Sequence, residues 1–202
     1  MDKEGLLLVI SGPSGVGKGT VCAKLLAEQD NLCISISHTT REPRAGETEG
    51  VNYFFKSQAE FAANIERDAY LEWAQVFGNY YGTPRDFVAE NIDKGLDTLL
   101  EIDTQGAIQV KERYPEGVYI FLLPPSYKAL QERLEGRKTE TPEKISKRLG
   151  EFRKEVEQSP MYDYLVVNDD VNKAADSIKA IIKAEHLRFE HSSKYAELLG
   201  EE

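Results

Sequence analysis

The sequence predicts an α/β protein built on a central parallel sheet, and three observations carry the prediction. Short, largely apolar runs recur at Gly5–Ile10, Asn31–Ser37, Thr98–Ile102, Val118–Leu122 and Tyr164–Val167, as expected of strands buried on both faces. Helical periodicity fills most of the intervals between them, and strands that alternate with helices argue for parallel pairing. The first run, "GLLLVI", leads through the glycine-rich stretch "SGPSGVGKGT" (Ser11–Thr20) into "TVCAKLLAEQ", where Val21, Leu25 and Leu26 share a helical face.

Taken in order, the glycine-rich stretch comes first. Gly12, Gly17 and Lys18 are in register with the phosphate-binding loop G-x-x-x-x-G-K-[ST], and strand, turn and helix are the context that motif requires. Glycines let successive backbone N–H groups curl around phosphate oxygens, and the following helix adds a partial positive charge. Lys18 would reach the outer phosphates as a point charge. The candidate phosphate site therefore runs from Gly12 through Pro13, Ser14, Gly15, Val16 and Gly17 to Lys18, Gly19 and Thr20. The metal-holding hydroxyl expected directly after the lysine is replaced by Gly19 and arrives one residue late, at Thr20.

Later helices announce their starts. Ser57 with Glu60 makes a capping box. Thr83-Pro84 and Thr141-Pro142 each place a cap residue before a proline at the first helical position. The last helix is expected over Val171–Leu199, with Ile178, Ile181 and Ile182 on one face. Two stretches break the alternation. His38 to Pro84 reads as an insertion of short antiparallel strands plus one helix. Ser126 to Glu155 reads as two charged helical segments meeting at "EGRKTETPEK". The expected division is 1–36 core with the phosphate loop, 37–84 insertion, 85–125 core, 126–155 second appendage and 156–202 core with the C-terminal helix. Both appendages would lie over the carboxyl ends of the strands, where open α/β sheets bind ligands.

Composition bounds the function. A chain of 202 residues, 41% hydrophobic and 30% charged, is expected to fold as one soluble domain with small insertions. No apolar run has the length of a membrane span, and the short run after Met1–Gly5 makes no signal peptide, so a cytoplasmic location is expected. Cys22 and Cys33 lack metal-ligand spacing and read as small buried hydrophobes. The net charge of −10 argues against long nucleic acids, whose binding rests on a broad basic surface. A phosphate ligand would require arginines gathered locally.

Those arginines lie in blocks that carry a resemblance. "SHTTREPRAGETEGVNYFF" (Ser37–Phe55), "EWAQVFGNYYGT" (Glu72–Thr83), "RLEGRKTET" (Arg133–Thr141) and "VVNDD" (Val166–Asp170) follow the loop in this order. Together they resemble the guanylate kinase family, from about Leu6 to Arg188. The resemblance implies a P-loop NTPase-type three-layer fold with a central parallel sheet, a small mixed α+β GMP-binding insertion and a helical lid. It implies reversible transfer of the γ-phosphoryl group of ATP to GMP, and to dGMP, with Mg2+ accompanying ATP. ATP and GMP are then the partners, with no nucleic-acid polymer and no membrane, and the chain is expected as a monomer or homodimer.

Residue chemistry and resemblance meet at three places. Arg41 and Arg44 are three apart in a loop with Pro43 and Gly46 and can converge on one anion, since guanidinium forks match phosphate oxygens. In the family the matching residues, with the tyrosines matching Tyr53 and Tyr81, hold the GMP phosphate, and Glu47 belongs to the implied GMP-binding set. Guanine offers a ring N–H beside an exocyclic amino group, and a carboxylate accepts such a pair bidentately. By resemblance Glu72 does so, with the hydroxyls of Ser37 and Thr83 on the guanine carbonyl and Asp103 nearby. A helix cap at Pro84 is the other reading of Thr83. "TLLEIDTQGA" ends an apolar strand with Glu101 and Asp103, carboxylates suited to holding magnesium through water, with Thr20 beside them.

The third block supplies more cations. Arg133 and Arg137 lie one helical turn apart, and Arg148 comes from the next helix. In the family they belong to a lid that neutralises charge on the phosphoryl group, and Asn168 touches adenine. Lys18, Arg41, Arg133, Arg137 and Arg148 form the implied catalytic set. No separate base is needed, because a phosphate oxygen of GMP is already a nucleophile. An adenylate kinase would share "GKGT" but would not need "TTREPRAG" or Glu72. A non-catalytic phosphopeptide-binding module would not need Lys18 and the lid arginines. A GTPase would need an N-K-x-D stretch, which is not visible.

Overall fold

The structure is a computed structural model that describes residues 5–44, 46–76, 78–136 and 142–188. Strand β1 (Leu7–Ser11) leads through the glycine-rich loop into helix α1 (Lys18–Glu28) and strand β2 (Leu32–Ile34). An insertion follows: β3 (His38–Thr39), β4 (Phe54–Phe55), α2 (Gln58–Glu66), β5 (Tyr70–Val76) and β6 (Asn79–Pro84). The chain then returns through α3 (Arg85–Asp93), β7 (Asp97–Glu101), α4 (Thr104–Arg113) and β8 (Val118–Leu123). It finishes with α5 (Tyr127–Glu135), α6 (Pro142–Glu157), one 3-10 turn (Ser159–Met161), β9 (Tyr164–Val167) and α7 (Val171–Glu185).

The five apolar runs are the five strands of one sheet, in the order β2-β7-β1-β8-β9. Every pairing in it is parallel. Parallel strands need crossovers, and the helices supply them, covering both faces. Strand β1 makes the layering plain, because all five of its residues are buried. Leu8 and Ile10 point to one face, against Val21 and Leu25 of α1 and Ile178 and Ile182 of α7. Leu7 and Val9 point to the other, against Val88 and Ile92 of α3 and Ala107 and Val110 of α4. Each of these valine, leucine and isoleucine side chains contributes about 1.5–3 kcal/mol of burial. Asp97 ties the layers together at one end: it accepts from the Leu6 N–H at 2.9 Å, and its other oxygen hydrogen-bonds His186 Nε2 at 2.8 Å. His186 is thus a packing residue, in keeping with the lack of catalytic spacing around the histidines. The expected C-terminal helix is seen as far as Glu185; residues 189–202 lie outside the described residues.

The insertion forms its own four-stranded sheet, ordered β4-β3-β6-β5. It departs in one pair from the antiparallel strands expected. The β3–β6 and β5–β6 pairs are antiparallel, but β3–β4 is parallel, because residues 40–53 carry the chain back before β4 begins. That returning loop holds Arg41, Arg44 and Glu47. Helix α2 closes the sheet with Phe61, which is fully buried and stacks on Tyr70 and Tyr80 at centroid distances of 4.5 and 5.4 Å.

Both bonds of the predicted capping box are present. Ser57 Oγ accepts from the Glu60 N–H at 3.2 Å, and Glu60 Oε2 accepts from the Ser57 N–H at 2.8 Å. Ser57→Ala is expected to cost about 1 kcal/mol, read as a lower denaturation midpoint at unchanged m-value. The second predicted cap is corrected. Pro84 itself sits at the N-cap of α3, and no side chain caps that helix; the Thr83 hydroxyl is engaged elsewhere. Helix α6 begins at Pro142 as expected, while its predicted cap, Thr141, lies outside the described residues. No described helix is long and apolar enough to cross a membrane.

Candidate active site

The phosphate loop leaves the carboxyl end of β1 in the middle of the parallel sheet. Gly12, Gly15 and Gly17 of this loop all have positive φ, and the first and last show what that geometry demands. Gly12 has φ +142°, and a Cβ on it would lie 2.2 Å from the Leu122 carbonyl oxygen, so the loop's first turn packs directly on β8. Gly17 has φ +97° at the N-cap of α1, a conformation that L side chains rarely adopt. Between them Val16 turns its side chain into the core, fully buried. Its carbonyl accepts from Asn168 Nδ2 at 2.8 Å and from a guanidinium nitrogen of Arg133 at 3.1 Å, and Arg133 also donates to the Asn168 carbonyl at 2.8 Å. Two residues expected at ATP thus meet each other on the back of the loop.

Lys18 folds onto the same loop: its Nζ donates to the Gly12 carbonyl at 2.6 Å. Loss of water pulls this ammonium below its ordinary pKa, while the carboxylates of Glu101, Glu155 and Asp103 act to raise it. Glu155 was not foreseen. It sits on α6, and burial holds its carboxyl above the usual range, opposed by the charge of Lys18 and by the backbone N–H of Ser14. Its Oε2 is buried without a hydrogen-bond partner among the described residues. Arg148, two helical turns earlier on the same face, hydrogen-bonds Ser14 Oγ. One face of α6 therefore touches the loop with a cation and an anion. The shared face was the available signal, obscured because α6 is written largely in charged residues. Arg137 lies outside the described residues.

Beside the loop, a cleft of about 350 Å³ opens between the end of β7 and the small sheet. One end is cationic. Arg41 donates to Glu47 Oε1 at 2.8 Å and to the Glu42 carbonyl at 2.7 Å, and its guanidinium lies 5.4 Å over the Tyr53 ring. The hydrogen bond it donates to Glu47 is the main reason its pKa is raised. Glu47 Oε2 also accepts from the Arg44 N–H at 2.8 Å, which sets the turn that presents Arg44. Tyr53 and Tyr81 meet edge to face at 5.9 Å and wall this end.

The other end is a buried carboxylate. Glu72 is only 5% exposed. It stands opposite Thr83 in the β5–β6 register, and the Thr83 hydroxyl donates to its Oε1 at 2.7 Å. Burial pushes Glu72 up to about 7, opposed by the Thr83 bond and assisted by the charge of Asp103. Ser37, Glu101 and Asp103 complete the lining, together with Ala74 and Ile102, which no motif singled out. Thr83 does not line the cleft; it stands behind Glu72 and holds it.

Glu101 and Asp103 sit where β7 ends, between loop and cleft. A Cβ on Gly19 would lie 3.4 Å from Glu101 Oε1, so this carboxylate reaches the ground a residue-19 hydroxyl would cover. Asp103 has a second duty: its Oδ1 accepts from the Gly106 N–H at 2.8 Å and caps α4. Among the described residues no three side chains gather as a metal cage. Two carboxylates and the Thr20 hydroxyl are hard oxygen donors that suit a hydrated magnesium ion also held by phosphates.

Counted within the parallel sheet alone, the strand order is 2-3-1-4-5, with the phosphate loop following the central first strand. That places the molecule among the P-loop NTPase-type α/β proteins, with a second, nucleotide-sized cleft beside the loop. The guanylate kinase family model matches residues 4–185. A guanylate kinase of Halalkalibacterium halodurans is 55% identical over 201 residues, covering 98% of each chain. One from Caldanaerobacter subterraneus subsp. tengcongensis is 54% identical over 94% of this chain and 92% of its own. The crystal structure of guanylate kinase from Anaplasma phagocytophilum superposes with a TM-score of 0.79 at 38% identity, covering 98% of this chain and 95% of that one. The chain belongs to the guanylate kinase family, whose members are ATP:GMP phosphotransferases.

Proposed function

We propose that the chain transfers the γ-phosphoryl group of ATP to GMP, and also to dGMP, with ATP phosphates on the Gly12–Thr20 loop and the acceptor in the neighbouring cleft. The observation that carries this reading is the polarity of the cleft. A buried carboxylate, Glu72, stands at one end and an arginine pair at the other. Guanine presents two adjacent donors to the first and its phosphate goes to the second; adenine lacks the donor pair.

Little covalent chemistry is required of the protein. Arg41, Arg44, Tyr53 and Tyr81 hold the acceptor phosphate so that one oxygen lies in line with the γ-phosphorus, and Lys18 holds the outer phosphates. Arg133, Arg137 and Arg148 supply charge for the group in transfer, which requires Arg133 and Arg148 to exchange loop contacts for phosphate oxygens. Magnesium, when bound with ATP, neutralises charge on the phosphate oxygens; Glu101, Asp103 and Thr20 would hold it through water. Residues 37–84 act as the acceptor-binding insertion and 126–155 as a lid that excludes water. Asn168 stays behind the loop, where its carbonyl edge can meet adenine.

The test is ADP formation from Mg-ATP with GMP, dGMP, AMP, UMP, dTMP or no acceptor. Signal with GMP and dGMP alone is expected. Preference for AMP would overturn the base-reading role of Glu72, and measurable GMP binding without turnover on any acceptor would point to a binding module instead.

A further inference from the structure

Helix α4 meets strand β5 along one face: Arg113 donates to the Tyr70 carbonyl at 2.6 Å at one end, and two further points flank Glu72. Strand β5 is an edge of the small sheet, and at Trp73 its outward backbone groups are taken by a side chain. Gln109 Oε1 accepts from the Trp73 N–H at 3.3 Å, and Gln109 Nε2 donates to the Trp73 carbonyl at 3.1 Å. One amide thus stands in for a neighbouring strand, immediately beside Glu72. One turn earlier, Gly106 faces the Glu72 side chain itself. A Cβ on Gly106 would lie 2.9 Å from Glu72 Oε2 and 3.3 Å from its Cδ, with Asp103 Oδ1 at 3.5 Å.

Backbone conformation does not demand glycine here, because Gly106 is helical and absent from the positive-φ residues. Inside a helix, alanine is favoured over glycine by about 1 kcal/mol. The missing methyl is therefore explained by what stands in its place, the carboxylate.

We propose that Gly106 and Gln109 are positioning residues that seat the base-reading carboxylate: Gln109 fixes the height of β5 on α4, and Gly106 sets how far Glu72 recedes from the cleft. This rests on the reading that Glu72 receives the guanine edge. Thr83 pins Oε1 from one side, so the carboxylate has two fixed boundaries, a hydroxyl and a bare Cα. A methyl on residue 106 would meet the far end of a side chain and not backbone. The fold accommodates it, and the displacement falls on the carboxylate.

The experiment compares Gly106→Ala, Gln109→Leu, Glu72→Gln and the Gly106→Ala/Glu72→Gln double variant of the full chain. Steady-state constants are measured for GMP and for ATP, and melting temperature is measured without nucleotide. Misplacement by about 1 Å costs on the order of a hundredfold, so Gly106→Ala is expected to raise KM for GMP about tenfold and Gln109→Leu about threefold. KM for ATP should stay within about twofold in both, and the melting temperature of Gly106→Ala should be equal to or above that of the parent. In the Glu72→Gln background, Gly106→Ala should add no further loss, because the group it displaces has already lost its function. Full additivity in that double variant, or a parental KM for GMP in Gly106→Ala, would overturn the proposal. An unchanged KM for GMP in Glu72→Gln alone would instead remove the base reading on which it rests. Should Gly106→Ala fail to fold, Gln109→Leu carries the same comparison through the other contact.

Discussion

Lys18→Ala is expected to lower kcat/KM for ATP by roughly 10²–10³-fold, about 3–4 kcal/mol, the usual loss when one preorganised charge at a phosphoryl group is removed. GMP binding should change by less than about twofold, because Lys18 does not line the acceptor cleft. The magnitude follows from its setting. Its Nζ lies 2.6 Å from the Gly12 carbonyl, and three carboxylates, Glu101, Glu155 and Asp103, act on its charge. Truncation removes the cation and leaves those acids facing the incoming phosphates. Lys18→Arg should not restore the rate, since a planar fork cannot replace a compact ammonium between two loop carbonyls. Initial rates over an ATP series, with GMP binding measured separately by titration, provide the check; an ATP dependence within threefold of the parent would remove Lys18 from the phosphate site.

Glu72→Gln is expected to move activity and stability in opposite directions. Replacing an acceptor by an amide donor against the guanine edge should cost roughly 2–4 kcal/mol in kcat/KM for GMP. The same change should stabilise the protein measured without nucleotide above neutral pH. The Glu72 carboxyl titrates at about 7 in the folded chain, against an ordinary value near 4.5. The native state therefore holds a proton that the unfolded chain releases. The associated stabilisation is fully present below about pH 4.5 and is lost as pH rises through 7, amounting to about 3 kcal/mol over that window. The glutamine variant lacks this term, so its melting temperature should match the parent at low pH and exceed it at pH 8. Guanine binding needs the ionised carboxylate, so the parental KM for GMP should rise as pH falls below 7. The ratio of variant to parental KM isolates that effect from titration of the nucleotide phosphate. Melting curves at pH 5 and 8, with KM at the same two values, decide both halves.

Much of this architecture was legible because its causes are local. The five parallel strands announce themselves by being apolar on both faces, and the loop by glycines between a strand and a helix. Ser57 and Glu60 read as a capping box because the bonds run between near neighbours. Arg41, Arg44, Glu47, Tyr53, Glu72 and Tyr81 gather at one cleft as the family resemblance implies. What stayed hidden depends on contacts between distant residues. The parallel β3–β4 pair is set by the path of residues 40–53, which has no periodicity to read. Thr83 before proline carries the local signature of a cap, yet a cross-strand carboxylate outcompetes the helix for its hydroxyl. Gln109 bonds to the backbone of Trp73, far away in sequence, and a glutamine on a helix surface gives no hint of it. The spacing of Arg133 gives no sign that its guanidinium braces Val16 and Asn168.

Val16 carries a thermodynamic consequence. With its side chain fully buried beside Leu122 and Leu25 in the core, the loop takes its shape when the sheet folds. The conformational entropy of ordering it is met once, during folding, and a nucleotide arriving later need not meet it again. Helix α6, by contrast, holds the loop through polar contacts at Ser14, of a kind that phosphate oxygens can replace. The floor of the site is as permanent as the sheet beneath it, and rearrangement during turnover falls to the walls.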